Sequence, residues 1–395
     1  MPERNLNFDK VIPRRGTGAL KTDYAAKRGK PADILPLWVA DMDFATSSYI
    51  QDALRETVEH GIWGYSEPLD PYFDALRSWM KRRHGWEVEE DQIIRTPGVV
   101  FALAMAVKAY TEPGDAILIQ QPVYYPFSEV IRDNGRRIVS SDLLYDREAG
   151  RYTMNLKEVE DLIIREGVRL MLLCSPHNPV GRVWTRKELH DLGEICLRHR
   201  VLVVSDEIHE DFVFSGKHCC FPLAGEGFAE NCIICTSPSK TFNLAGLQLS
   251  NIVIPGRENY LRFRREVDKA GYSQAPLFGL RACEAGYARG EEWLDALLSY
   301  LKENLAFLED FCQKNLPGVR VIRPEGTYLV WMDFSDLGLS VRELDDLIIY
   351  KAGLWLDSGR IFGRSGEGFQ RINIACPRLI LKEALERLAG ALGLR

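Results

Sequence analysis

Buried strands and amphipathic helices alternate along most of the chain. Between residues 46 and about 288, apolar runs at 115–120 (DAILIQ), 138–143, 168–174 (VRLMLLC), 201–205 (VLVVS), 232–236 (CIICT) and 250–254 (SNIVI) read as strands. Several are apolar throughout, the pattern of strands buried on both faces of a mostly parallel sheet. Helical periodicity occupies 98–110, 122–134, 156–166 and 185–199. This alternation predicts a three-layer αβα, doubly wound domain over residues 46–288. Beyond that the texture changes. A long helical pattern at 291–316 is followed by TYLVWMDF, a second helical stretch at 340–352, GLWLD, FQRINIA and a final helix at 379–392. A smaller α+β domain is expected over 289–395. Residues 1–45 hold one short apolar run, PLWVADMDF, among prolines and glycines, and are expected to form an arm packing on the small domain.

Composition narrows the class. With 395 residues, 46% of them hydrophobic, the chain is too long for one simple core. A formal net charge of −6, from 50 basic and 56 acidic residues, argues against nucleic acid as a partner. No apolar stretch is long enough for a membrane span, and the polar start MPERNLNFDKVIPRRG lacks a signal-peptide core. A cytoplasmic enzyme is expected. Nine cysteines without an export signal predict reduced, mostly buried thiols. Cys219, Cys220, Cys232 and Cys235 resemble a zinc set, but on a strand positions three apart face opposite ways. Cys232 and Cys235 therefore cannot share an ion, and no metal is assigned.

In an open parallel sheet, ligands bind beyond the carboxyl ends of the strands. Here those ends are followed by Gln121-Pro122-Val123-Tyr124-Tyr125, by Ser175-Pro176-His177-Asn178-Pro179, by Asp206-Glu207-Ile208-His209, and by Ser237-Pro238-Ser239-Lys240-Thr241. Each residue taken singly has a plainer role. Lys240 suits a solvated surface, Asp206 a helix cap, His209 a satisfied core position, Asn178-Pro179 a turn and Tyr124 ordinary packing. Those roles do not explain why all of them follow buried strands in this order. Together they describe a site where one lysine and one acid meet a flat aromatic ligand.

The motifs SPHNPVG (175–181), SDEIHEDF (205–212), SPSKTFNLAGLQ (237–248) and RINIACPR (371–378) make the chain resemble the fold-type I, class I/II aminotransferase superfamily of pyridoxal-phosphate (PLP) enzymes, over about residues 30–392. Within it, PLWVADMDF (36–44), WGYS (63–66) and a histidine three residues after Asp206 resemble the C–S β-lyases of the MalY/PatB, cystathionine β-lyase-like, type. The resemblance implies that Lys240 holds the cofactor and carries the Cα proton, and that Asp206 pairs with the pyridine nitrogen. It implies that Asn178 donates to the ring oxygen, that His209 supports the same oxygen or Asp206, and that Tyr124 stacks on the ring. Gly98, Val99 and Val100, opening a helix, are expected to take the phosphate, with hydroxyls from Ser237 and Ser239. The superfamily usually has an arginine eight residues after the lysine; this chain has Gln248. Tyr65 matches a tyrosine that reaches the phosphate from a neighbouring subunit, which implies a homodimer with shared active sites. Arg371 is expected to fork onto the substrate α-carboxylate, with Arg378 as the alternative, and Ala40 and Tyr65 to lie near a small amino-acid substrate.

Two reactions begin alike, with loss of the Cα proton. Elimination expels a thiolate from Cβ and ends in pyruvate and ammonia; transamination passes the amino group to a 2-oxo acid. The shared residues serve both. The subfamily resemblance favours a lyase acting on L-cystathionine or a related cysteine thioether, with an aminotransferase as the alternative. A cofactor-binding regulatory protein is a third reading, though Lys240, Asp206 and Arg371 are all retained.

Overall fold

A computed structural model describes residues 2–393; residues 1, 394 and 395 of the expected arm and small domain lie outside them. Seven strands form the large sheet: β1 (Ile93–Thr96), β2 (Ala116–Ile119), β3 (Arg137–Ser140), β4 (Leu170–Cys174), β5 (Leu202–Asp206), β6 (Cys232–Thr236) and β7 (Ser250–Val253). Their order is β1-β7-β6-β5-β4-β2-β3, and only β7 runs antiparallel to its neighbours. Winding reverses between β2 and β4, which opens a crevice at their carboxyl ends.

The continuous apolar runs are explained by two-sided burial. Along β6, Cys232 and Ile234 pack into one core while Ile233 and Cys235 pack into another. The two thiols thus lie on opposite faces, as the strand period demands. Helices Leu156–Glu166 and Arg186–Arg198 fall where periodicity put them. Asn155 and Thr185 cap them, each accepting from the backbone N–H three residues on. The stretch expected as a helix from 122 becomes one only at Pro126–Asp133, because residues 122–125 are spent on the turn that carries Tyr124. Strand β1 and helices Ser48–His60, Asp70–Trp79, Arg257–Lys269 and Leu277–Arg289 were not anticipated individually.

After the long helix Glu291–Asn315, strands β8 (Arg320–Ile322), β9 (Leu329–Asp333), β10 (Asp357–Ser358) and β11 (Phe369–Asn373) make a second sheet in the order β8-β9-β11-β10, all antiparallel. The N-terminal segment leans on it. Leu35–Pro36 pairs in parallel with Leu354–Trp355, the Trp38 ring stacks on Trp355 at 4.4 Å, and Leu37 O accepts from Asn373 N at 2.9 Å. Within it, Arg14 and Lys21 pair with Asp41 and Asp43. Among the described residues no helix is long and apolar enough to cross a membrane.

Candidate active site

Asp206 closes β5, with Cys174 of β4 and Cys235 of β6 as its register partners. The turns after β2, β4 and β6 carry Tyr124, Asn178 and Lys240, and Tyr124 N donates to Asn178 O at 3.0 Å. These four side chains share one cavity of about 540 Å³ with Ala40, Gly98, Val99, Val100, His209, Ser239 and Gln248.

Lys240 sits in a one-turn helix, Pro238–Thr241, capped by Ser237. The Ser237 hydroxyl accepts from Ser239 N at 3.1 Å and donates to Leu249 O at 2.7 Å. Ser237 therefore holds the lysine turn and does not line the cavity, whereas Ser239 does. Lys240 Nζ donates to Ala40 O at 2.6 Å, an oxygen that also accepts from Tyr328 OH at 3.0 Å. Asn243 straps the same segment down by donating to Met42 O and Phe44 O. Burial, and then Arg371, push the Lys240 amine down to about 8 against the pull of Asp41 and Asp206.

Asp206 is the complementary case. Burial pushes its carboxyl up to about 7, although Ile208 N donates to it at 3.2 Å and Lys240 is nearby. His209 is buried against Tyr328, ring centroids 5.7 Å apart, and its Nδ1 has no partner among the described residues. Burial, with Lys240 and Arg371 close, holds its imidazole well below the usual range, so it is neutral.

At the other wall Gly98 precedes helix Val99–Tyr110, which has no side-chain cap. Gly98 has φ +153, a conformation a side chain strongly disfavours. The first-turn N–H groups have no intrahelical acceptor, and with the helix dipole they form an anion site.

Arg371 lies behind Asn178. Its Nη1 donates to Asn178 Oδ1 at 2.9 Å and its Nη2 to Trp38 O at 2.8 Å, while Asp357, its register partner across β10 and β11, pairs with Nη2. Nε has no partner. A substrate carboxylate at this guanidinium must share it with Asp357. Sequence reasoning missed Asp357, since nothing in GLWLD announces that two-residue strand β10 will lie beside RINIA. Tyr328 was missed likewise. Arg378 points elsewhere: from the start of the last helix it pairs at 3.6 Å with Glu303 on the long helix Glu291–Asn315. Tyr65 is 94% exposed on the single chain and contributes nothing to this chain's own cavity. Because Arg371 and Asp357 are both buried, Arg371→Ala leaves an uncompensated carboxylate and should cost about 3–5 kcal/mol of stability. The check is urea denaturation. The double variant Arg371→Ala/Asp357→Ala should recover part of the loss, and strictly additive costs would show that the pair is not coupled.

The family model for "Aminotransferase class I and II" matches residues 36–388. The chain belongs to the aminotransferase class I and II family. Its relatives there include cystathionine beta-lyase PatB of Bacillus subtilis, 43% identical over 98% of this chain and 100% of that protein. The cystathionine beta-lyase of Corynebacterium glutamicum is 33% identical over 92% of this chain and 95% of its own. Among solved structures, cystalysin from Treponema denticola, which contains a pyridoxal 5'-phosphate cofactor, superimposes with a TM-score of 0.94 at 37% identity over 98% of both chains. The family's mostly parallel sheet is the one described above, and its crevice is where Lys240 and Asp206 meet.

Proposed function

We propose that this protein is a PLP-dependent C–S β-lyase that releases a thiol from L-cystathionine or a related cysteine thioether, leaving pyruvate and ammonia. One observation carries the reading: an amine held near 8, a buried carboxyl and an uncapped helix start line a single cavity. The donor set fits PLP. It offers an amine for the aldehyde, an acid for the ring nitrogen and backbone N–H groups for the phosphate, and the unpartnered His209 Nδ1 leaves a polar atom for the ligand. When bound, PLP supplies an electron sink for the bond broken at Cα.

The chain's own residues do the rest. Lys240 holds the cofactor and, once released, takes the Cα proton; its lowered pKa provides free amine near neutral pH. Asp206 would keep the ring nitrogen protonated, and a cation there would draw the Asp206 pKa back down. Asn178, held by Arg371, would position the ring oxygen, Tyr124 would cover the ring face, and Gly98, Val99, Val100 and Ser239 would take the phosphate. Arg371 binds the α-carboxylate, and Ala40 orients the lysine amine through its carbonyl. We read residues 46–288 as the cofactor-binding domain and 289–395 as the small domain carrying the arm of residues 1–45. A cytoplasmic location suits the nine free cysteines.

The names of the relatives favour elimination over transamination, and the assay is direct. L-Cystathionine alone should yield pyruvate, ammonia and homocysteine in equal amounts. Turnover that requires 2-oxoglutarate and forms glutamate would replace this reading with the aminotransferase one.

Ile62, Trp63 and Tyr65 stand 72%, 59% and 94% exposed in sequence order. We infer that they meet a second copy of the chain, where Tyr65 reaches the partner's phosphate site. Mixing Lys240→Ala with Tyr65→Phe chains should restore one native site per heterodimer and so recover activity that neither parent has. A fully active monomer rules this out.

A further inference from the structure

Beneath the floor that carries Asp206 and Lys240 lies a second group of ionisable side chains. Glu207, Glu210, His218 and Cys220 are all buried, and one donor atom of each lies within 4.8 Å of the other three. His84 and Asp211 flank them, joined at 3.0 Å.

Hydrogen bonds account for every carboxylate oxygen here but one. Glu207 Oε1 accepts from Ser205 Oγ at 2.8 Å and from Phe221 N at 3.0 Å, and its Oε2 faces His218 Nε2 at 2.8 Å. Asp211 Oδ1 faces His84 Nε2, and its Oδ2 accepts from Thr241 Oγ1 at 2.6 Å. Glu210 Oε1 accepts from Thr236 Oγ1 at 2.6 Å. Among the described residues Glu210 Oε2 has no partner, although the residue is only 3% exposed. His84 Nε2 is 3.9 Å away and engaged with Asp211. A buried polar atom with no partner calls for an explanation, and an ion is one that satisfies it.

We propose that Glu207, Glu210, His218 and Cys220 form a buried site for a divalent transition-metal cation of the zinc class. One thiolate, one imidazole and two carboxylates are the donors that a borderline-soft, four-coordinate ion takes. Metal–ligand bonds of about 2.0–2.3 Å place tetrahedral donors roughly 3–4 Å apart, so the present spacing needs only a modest contraction. The exposed stretch Ser215–Lys217, next to His218, gives an ion a way in. Strand parity still separates Cys232 from Cys235; the cluster draws on Cys220 alone, with ligands from the 207–210 turn. That turn could not be connected to residue 220 by spacing.

The ion braces the catalytic floor from below. Glu207 follows Asp206 directly, and Glu210 precedes Asp211, which holds the hydroxyl of Thr241 beside Lys240. It is a structural site, separate from the reaction, and does not depend on which reaction the upper cavity performs.

The test uses the full-length protein with its cofactor, metal-stripped and then dialysed against Zn²⁺ or Co²⁺. About one equivalent per chain should be retained, and it should raise the melting temperature. The Co²⁺ form should show ligand-field bands of tetrahedral type and a thiolate-to-metal charge-transfer band. Cys220→Ser should abolish the charge-transfer band, whereas Cys219→Ser, at the half-buried neighbour, should keep it. Glu210→Gln should lower retention at least about tenfold. If wild-type protein retains no stoichiometric metal, or if Cys220→Ser and Glu210→Gln retain it with an unchanged spectrum, the proposal is overturned. The wild-type spectrum alone decides the matter should either variant fail to fold.

Discussion

Lys240→Ala protein is expected to lose turnover by about 10⁴-fold or more, the upper end for a general acid–base group, since the same amine also holds the cofactor. Lys240 Nζ is the amine in a cavity shared with Asp206, and the Ala40 carbonyl aims it at 2.6 Å. The readouts are the rate of pyruvate formation and the borohydride-reducible lysine adduct. An adduct that persists in Lys240→Ala identifies a different lysine. The lowered pKa has a consequence for the cofactor-free protein as well. Folded Lys240 titrates near 8 against 10.5 unfolded, so between these values the unfolded chain binds more protons and stability rises with pH. Below about 8 the buried ammonium is a full liability. Lys240→Met should remove both that cost and the slope.

Asp206→Asn should retain cofactor yet lower turnover by about 10²–10³-fold, the loss typical of removing one preorganised electrostatic contact. A neutral amide cannot hold the proton on the ring nitrogen, so the electron sink weakens while the pocket keeps its shape. The same substitution acts oppositely on the empty protein. Burial raises the Asp206 carboxyl from 3.8 to about 7, so between these values the folded chain binds more protons and stability falls as pH rises. The penalty is complete above about 7. Cofactor-free Asp206→Asn should therefore be more stable than wild type at pH 8, by a few kcal/mol at one pKa unit per 1.36 kcal/mol, and show little gain near pH 4. Urea denaturation at several pH values measures this. Near wild-type turnover, or no stability gain at pH 8, counts against Asp206 as a buried carboxylate awaiting a cationic partner.

Local pattern was enough for six of the seven strands of the large sheet, all but β1, and for the residues at its edge. Runs such as LMLLC and CIICT are apolar on both faces because helices cover both, so strand identity and parallel topology could be read without coordinates. The rule that ligands lie beyond strand carboxyl ends then nominated Tyr124, Asn178, Asp206 and Lys240, which the fold brings into one cavity. The helix start at Gly98 was readable for a related reason: capping chemistry is local, and its absence is local too.

What tertiary structure alone decided involves partners distant in sequence. The Ala40 carbonyl meets Lys240 across 200 positions, and Arg371 meets Trp38 across 333. No periodicity encodes such pairings; they follow from how the arm and the second sheet dock on the first. Pairing of β10 with β11 put Asp357 on Arg371, so the expected carboxylate clamp is already engaged by a carboxylate of its own chain. Ser237 looked like a phosphate ligand because it neighbours the lysine, but the Leu249 carbonyl claims its hydroxyl. The pKa values near 8 and 7 arise from burial, which depends on every layer packed above the site. Residue types and their order along the chain therefore specified which groups reach the crevice. Their charge states and partners were set by desolvation and long-range packing, which a linear sequence does not display.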